Sequence, residues 1–347
     1  MLAPRFTTSH RITAALTLIE RARGFLEAAR LSDDWVRRMS QRALLAEAYA
    51  TTHMEGTELT LPQAERAWEG AAVSEARDDD VRELLNYREA FNLVSDHITA
   101  GGRISEELLC AIHARLVSGV RGEEGQPGRY RTVQNCIART QTLEIVYIPP
   151  PPRDVPVLMG ELVAWLGEAT PVHPVLVAGV AQFQLVHVHP FVDGNGRTSR
   201  LLSTLCLFRA GYDFKRLFTL SQFYDRDRSR FYRALQGVRE NEMDLTPWLE
   251  FFVEGLATQL AEVRTQGERI IRLDVIAREH ALSARQALAV GYLLEHAELR
   301  IEDFEAACPD VNRRTLQRDL EDLVSRRVLK MSGAARAVRY RLGIKGL

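Results

Sequence analysis

The chain has 347 residues, 46% of them hydrophobic and 26% charged, with a formal net charge of −1; this excludes a disordered or collagen-like chain and supplies enough apolar material for two domains. The longest apolar run, roughly 172–192, is interrupted by His173, Gln182, Gln184, His187 and His189, which excludes a membrane span. The N-terminal MLAPRFTTSH has no long apolar core and the four cysteines are far apart with no CxxC pair, so neither a secretory leader, a disulfide scaffold nor a structural zinc site is expected, and a reducing cytoplasm is the expected compartment.

In chain order, apolar spacings of three and four predict helices over 11–30, 34–50, 81–98, 105–118, 155–168 and 174–188. Gly101-Gly102 breaks the chain before the fourth of these, and Ser105 is placed to cap it. Between Arg131 and Ile148 (RTVQNCIARTQTLEIVYI) β-branched residues replace the helical spacing, and a small β-hairpin is expected, ended by the four prolines at Pro149 to Pro152. Helices also fit 197–210, 227–239 and 245–264; beyond a change of pattern near residue 268, they fit 283–296, 301–307 and 313–328, with a short β segment at 337–342. The expected fold is mainly α, with domains at 1–100, 101–267 and 268–347.

The stretch HVHPFVDGNGRTSR, His187 to Arg200, carries too much glycine for a helix interior and too much polar chemistry for a core segment. Pro190 stops the preceding helix and Phe191 is the loop's aromatic anchor. Gly194-Asn195-Gly196 permits successive backbone N–H groups to turn inward as an anion nest, and the next helix adds its unpaired N–H donors and positive dipole end. Arg197 and Arg200 fall in that helix's first turns, where they can neutralise phosphates. Asp193 is placed to hold a hard cation such as Mg²⁺, and His189 is the group whose pKa suits a general base.

HPFVDGNGRTSR resembles the active-site motif of Fic-domain proteins, HPFx(D/E)GNGRxxR, with no departure. The hairpin, SRFYRAL (229–235) and TPWLEFF (246–252) resemble Fic elements in order, so the resemblance covers roughly 40–255. It implies a Fic-type helical core with a hairpin flap. The implied activity is transfer of AMP from ATP to a Ser, Thr or Tyr hydroxyl of a target protein, or of the chain itself. It implies His189 as the base, Asp193 as the Mg²⁺ holder, Gly194, Asn195, Gly196 and Arg197 as phosphate contacts, and Arg200 at the γ-phosphate. Phe231 and Tyr232 resemble the nucleobase-contacting pair, with Tyr232 preferred; Asn241 is the candidate polar partner. Glu144, Ile145, Val146 and Tyr147 form the flap edge near ATP, where an extended target segment adds as a strand.

TTHMEGT (51–57) resembles the family's inhibitory pattern (S/T)xxxE(G/N) through Thr51, Glu55 and Gly56. Its physical logic is a charge pair in which Glu55 occupies Arg200; in some relatives the same glutamate supports AMP removal. Val311 to Leu347 holds ten Lys or Arg against three Asp or Glu, which points to an anionic partner. This segment looks like a winged helix-turn-helix, with Asn312 as a cap, Arg313, Arg314, Gln317 and Arg318 at the start of a recognition helix, and KMSGAARAVRYRL as a basic wing. DNA is therefore a candidate partner, and the alternative to a restrained adenylyltransferase is a DNA-binding regulator whose Fic domain senses ATP or modifies itself. A membrane partner is not expected, and a homodimer is left open.

Overall fold

The computed structural model describes residues 2–138, 144–333 and 337–344. The tip of the expected hairpin (139–143) and the middle of the expected wing (334–336) lie outside the described residues. The chain divides into two compact units, Met1–Gly24 with Asp34–Ala261, and Phe25–Asp33 with Glu262–Leu347. No helix among the described residues is long and apolar enough to cross a membrane.

The larger unit contains α2 (Asp33–Met54), α3 (Leu61–Trp68), α4 (Asp78–Thr99), α5 (Glu106–Leu116), the two-stranded ribbon β1 (Ile137–Ala138) and β2 (Ile145–Tyr147), α6 (Val155–Gly167), α7 (Pro174–Val188), α8 (Asn195–Arg209), α9 (Leu220–Arg226) and α10 (Arg228–Glu240). It also takes in most of α1 (His10–Ala28) and the first half of α11 (Thr246–Glu279). β1 and β2 are antiparallel, with Ile137 opposite Tyr147 and an irregularity in register after it.

The pair α7 and α8 forms the centre. Almost every residue of α7 is buried, as expected of a helix that is apolar on all sides. Trp248 of α11 donates from Nε1 to Gly179 O at 2.8 Å, and a Cβ at Gly179 would lie 2.8 Å from Leu249 Cδ2, so glycine is what lets these backbones approach. α8 buries polar residues instead, and its hydroxyls are satisfied by its own first turns: Thr198 and Ser199 donate to Gly194 O and Gly196 O (2.8 Å each), and Ser203 to Arg200 O (2.8 Å).

Two helices were not expected. α3 starts with Pro62 in its first turn and the Thr60 N–H donating to Gln63 Oε1 at 2.8 Å, a local T-x-x-Q signal that was readable. α9 is held from a distance: the Ser221 N–H donates to Glu47 Oε2 on α2 at 2.9 Å, and the Ser221 hydroxyl to Oε1. The third departure is α11, which runs on to Glu279 where 264 was expected. Gly267 does not break it; a Cβ there would lie 2.9 Å from Phe25 Cε1, so this glycine makes room for a ring at a helix-propensity cost of about 1 kcal/mol.

The smaller unit contains α12 (Ala284–Glu295), α13 (Ile301–Ala307), α14 (Arg313–Ser325) and the antiparallel strands β3 (Leu329–Ser332) and β4 (Arg339–Leu342). Ser283 caps α12 with a reciprocal Gln286 bond, and Asn312 caps α14 by accepting from the Thr315 N–H at 2.9 Å. Ile276, Val290, Leu293, Phe304, Leu316, Leu320 and Leu329 form its core. α14 ends at Ser325, short of the expected 328, and Arg327, at φ 60°, turns the chain toward β3.

Candidate active site

His189 closes α7 in the left-handed region, φ 51° and ψ 58°, a conformation costly for a non-glycine residue and kept only where the surroundings fix it. Arg131 supplies that constraint. Its Nε donates to His189 O at 2.8 Å, its backbone N–H to Pro190 O at 2.8 Å, and its Nη2 to Pro150 O at 2.6 Å. Arg131 is 3% exposed, so a buried cation ties both ends of the hairpin segment to the loop.

Phe191 is fully buried and stacked on His113 of α5, ring centroids 3.8 Å apart and 4° from parallel. His113 Nε2 donates to Asp193 O (3.0 Å) while Nδ1 accepts the Gly128 N–H (2.9 Å); these two bonds define its neutral tautomer. Asn195 accepts the Phe191 N–H on Oδ1 and donates from Nδ2 to Phe191 O, both at 2.9 Å. The Asn195 side chain thus clasps the loop, leaving its backbone N–H for an anion. Gly194 has φ 73°, and a Cβ there would lie 2.9 Å from Val117 Cγ1. The N–H groups of Asn195, Gly196 and Arg197 open α8 without intrahelical acceptors, which makes an anion seat.

A carboxylate lies beside that seat. Glu55, just past the end of α2, lies against Gly196, where an added Cβ would collide with Oε1. Arg200, 4% exposed, donates from Nη2 to Glu55 Oε1 at 2.5 Å, from Nε to Thr51 Oγ1 at 2.6 Å and from Nη2 to Thr51 O at 3.2 Å. Burial would raise the Glu55 pKa, but the guanidinium groups of Arg200 and then Arg197 outweigh it and hold the carboxyl below its ordinary value. Gly56 follows at φ 99° and turns the chain away.

Arg197, expected at the phosphates, is 1% exposed and pairs through Nη1 with Glu83 of α4 at 2.9 Å. Glu83 is itself fully buried and also accepts from Arg121 Nε (2.9 Å), whose Nη2 reaches Glu55 O (3.0 Å). Burying charges is tolerable when they are paired, and here both guanidinium groups pair with the Glu83 carboxylate, with only Arg197 Nε left without an acceptor among the described residues. Arg197 therefore contributes its charge from behind the loop. Asp193 is half-buried and accepts the Gly194 N–H on Oδ1 at 2.6 Å.

His189 Nδ1–H donates to Val186 O (3.3 Å); a carbonyl there selects the Nδ1–H tautomer and leaves the Nε2 lone pair available. Burial and the nearby Arg239 guanidinium depress its pKa to about 4, against the opposing Val186 carbonyl and Glu55 charge. His187 has a role that was not legible: the Tyr147 hydroxyl donates to His187 O and meets Nδ1, both at 2.8 Å, while the Arg239 guanidinium covers the Tyr147 ring at 3.5 Å. This fastens β2 to the end of α7. Burial also brings His113 and His187 to about 4.

These three histidines give an expected result. An unfolded chain binds more protons than the fold between pH 6.5 and 4, so their contribution to stability is complete above about 6.5 and is lost as the pH falls toward 4. The urea midpoint should drop from pH 7 to pH 5 in the wild type and drop less in His113→Asn. Equal midpoints at both pH values would refute neutral burial.

On the nucleobase side, Phe231 is 2% exposed and stacked on Tyr224 at 4.6 Å, with Trp248 and Phe251 around it. Its expected place against a base is corrected: its ring belongs to the core. Tyr232 is half exposed, and burial of its hydroxyl together with the Glu55 charge raises the hydroxyl pKa. Asn241 is exposed at the C-cap of α10. Along the flap, Glu144 and Ile145 are exposed, and Val146 and Tyr147 are half-buried. Sequence reasoning missed Glu83, Arg121, Arg131 and His113; each is a single residue on another element, with no local pattern to announce it.

In the smaller unit, Arg314, Gln317 and Arg318 are exposed at the start of α14. Arg313 is engaged with Glu305 at 2.7 Å and Glu302 at 3.0 Å.

Residues 103–207 match the model of the Fic/DOC family. The chain is similar to the protein adenylyltransferase Fic of Drosophila grimshawi, 30% identical over 242 residues, covering 69% of this chain and 47% of that protein. It is likewise similar to that of Drosophila melanogaster, 31% identical over 242 residues, with 69% and 46% covered; the chain spans just under half the length of these relatives. Among solved structures, a Fic family protein from Desulfovibrio desulfuricans aligns over the whole of both chains with a TM-score of 0.66 at 24% identity. Fic-1 from C. elegans aligns over 76% of this chain and 74% of its own with a TM-score of 0.60 at 21% identity. The stretch from His189 to Arg200 lies inside the matched span and Thr51 to Gly56 before it, and the chain carries a domain of the Fic/DOC family.

Proposed function

We propose that this protein transfers AMP from ATP to a Ser, Thr or Tyr hydroxyl of a target protein or of itself, and that Glu55 restrains the reaction. The observation that carries this reading is the Glu55 carboxylate seated against Gly196 and paired with Arg200, because it marks the start of α8 as an anion site. His189 Nε2 takes the proton of the incoming hydroxyl. That oxygen bonds to the α-phosphorus as the bond to the bridging oxygen breaks, and pyrophosphate leaves. The first N–H groups of α8 and the Arg200 guanidinium hold phosphate oxygens, which is where such transfers are accelerated. Exposed Ile145, at the start of the flap strand, and Ile148, just past its end, suit an extended target segment adding beside it.

Mg²⁺ fits this site as the companion of ATP. No group of three or more His, Cys, Asp or Glu among the described residues is arranged to hold a metal. Asp193 offers a single half-buried carboxylate that accepts the Gly194 N–H through Oδ1 alone among the described residues, and Mg²⁺ is commonly held by one or two carboxylates with water and substrate phosphates. Bound there, the ion supplies charge neutralisation to the phosphates. The same proposal includes AMP removal, in which Glu55 orients a water to attack the phosphorus of the AMP-bearing side chain as the bond from that phosphorus to the side-chain oxygen breaks, releasing AMP and the free hydroxyl. The four cysteines are free thiols, which suits a cytoplasmic setting.

The test uses two labels. With Mg²⁺ and cell lysate, α-labelled ATP should leave label on protein and γ-labelled ATP should not. Label retained from the γ-position, or from neither, overturns the assignment.

The smaller unit has the element order of a winged helix, and Arg314, Gln317 and Arg318 form the face it offers to a DNA partner. A low-salt gel shift of duplex DNA should be lost in Arg314→Ala/Arg318→Ala and kept in Arg313→Ala; the absence of any shift by the wild type removes the DNA reading.

A further inference from the structure

The grip on Arg200 continues into an unfilled seam. Along α2 the residues Leu44, Glu47 and Thr51 lead to Glu55, and along α8 the residues Phe208 and Thr204 lead to Arg200; side chains three or four apart share a helix face. At the Glu55 end the two faces are in contact. At the other end they separate around a cavity of about 200 Å³ whose walls include Leu44, Phe91, Phe208 and Phe218. Two charged side chains line it, Glu47 and Arg216. They are not equivalent. The Glu47 carboxylate is already held by the Ser221 N–H at 2.9 Å and by the Ser221 hydroxyl. Arg216 is half-buried, has no ion-pair partner among the described residues, and carries its guanidinium over the Phe208 ring, 5.6 Å from the centroid.

The backbone that presents Arg216 is unusual. Phe214, Lys215 and Arg216 are consecutive non-glycine residues in the left-handed region, at φ 47°, 54° and 59°. Such backbone persists where surrounding structure over-determines it, and it clusters at ligand clamps and switches. A cavity of ~150 Å³ lined by apolar side chains takes a benzene ring; this one has room for a ring with a short polar arm. Glu47 is itself an acceptor already bonded to Ser221, so a negative group in the cavity goes to Arg216.

We propose that this cavity binds a small aromatic carboxylate, ring among Phe91, Phe208 and Phe218 and carboxylate on Arg216, and that its occupant fastens α2 to α8. The proposal does not depend on the AMP-transfer reading. A ligand that touches both helices two turns from the Glu55–Arg200 pair binds the docked arrangement of α2 better than any loosened one, and so raises the population of the docked form.

Phenylacetate is the probe, with phenylacetamide as its neutral counterpart. By calorimetry phenylacetate should bind the wild type, and the amide should bind at least about tenfold more weakly through loss of the charge-assisted contact. Arg216→Gln should weaken phenylacetate by a similar factor, and Ala43→Leu, which fills the cavity from the α2 wall, should remove binding. Amide hydrogen exchange over α2 should slow on addition of phenylacetate. No binding to the wild type, or equal affinity for Arg216→Gln, overturns the site; binding with unchanged exchange over α2 overturns its effect on that helix.

Discussion

Replacing Glu55 with Gly should raise AMP transfer by about 10- to 100-fold under matched ATP and Mg²⁺. The size follows from the contact removed: hydrogen bonds to charged groups contribute ~1.5–3 kcal/mol, and each 1.4 kcal/mol is a factor of ten. In the wild type the γ-phosphate must take Arg200 from a carboxylate that is paired with it and lies against Gly196. In the variant it meets Arg200 without that carboxylate, while Thr51 still holds the Arg200 Nε at 2.6 Å and so keeps the guanidinium in place. Thr51→Val separates the two roles: it removes the hydroxyl that orients Arg200 but leaves the Glu55 charge, so its gain should be smaller. Initial rates with α-labelled ATP measure both. No gain in Glu55→Gly would remove the inhibitory assignment and leave the remaining site untouched.

The part of the site that was legible in the sequence is the part built from one segment. Pro190, Gly194 and Gly196 have backbone consequences that follow from residue type, and a helix that must begin after them is a local inference. Even the long-range partner Glu55 was accessible, because its motif is itself contiguous. What was not legible is the support. Arg131 fixes the left-handed His189 from the hairpin, His113 stacks beneath Phe191 from α5, and Glu83 neutralises Arg197 from α4. Each acts across more than fifty residues of sequence, and a lone buried Arg, His or Glu looks the same on paper as a solvated one. α9 illustrates this at the level of the fold, since its start is held by Glu47 from α2. The Phe231-Tyr232 pair shows the converse error. Two adjacent aromatics on a helix point about 100° apart, so one entered the core and only Tyr232 remained at the site.

The larger loss should come from His189. In the Glu55→Gly background, His189→Ala should lower AMP transfer by about 10²- to 10⁴-fold, the usual worth of a positioned general base. Alanine also changes the backbone problem, because residue 189 sits at φ 51° and a left-handed residue with a Cβ is costly unless it is of the Asn or Asp type. His189→Asn is therefore the decisive variant: it tolerates the left-handed cap, keeps Arg131 on the residue 189 carbonyl, and removes the imidazole. An Asn variant that unfolds like wild type yet transfers no AMP assigns the loss to the base. An Asn variant that retains activity within about tenfold would show that the hydroxyl proton leaves by another route. The same group predicts the pH profile. With its pKa brought to about 4 by burial, His189 is already neutral well below pH 6.5, so the acid limb of transfer in Glu55→Gly should lie below that of an unperturbed histidine. A limb at 6.5 or above would mean that the imidazole is solvated in the working enzyme, and that the loop opens before the hydroxyl is deprotonated.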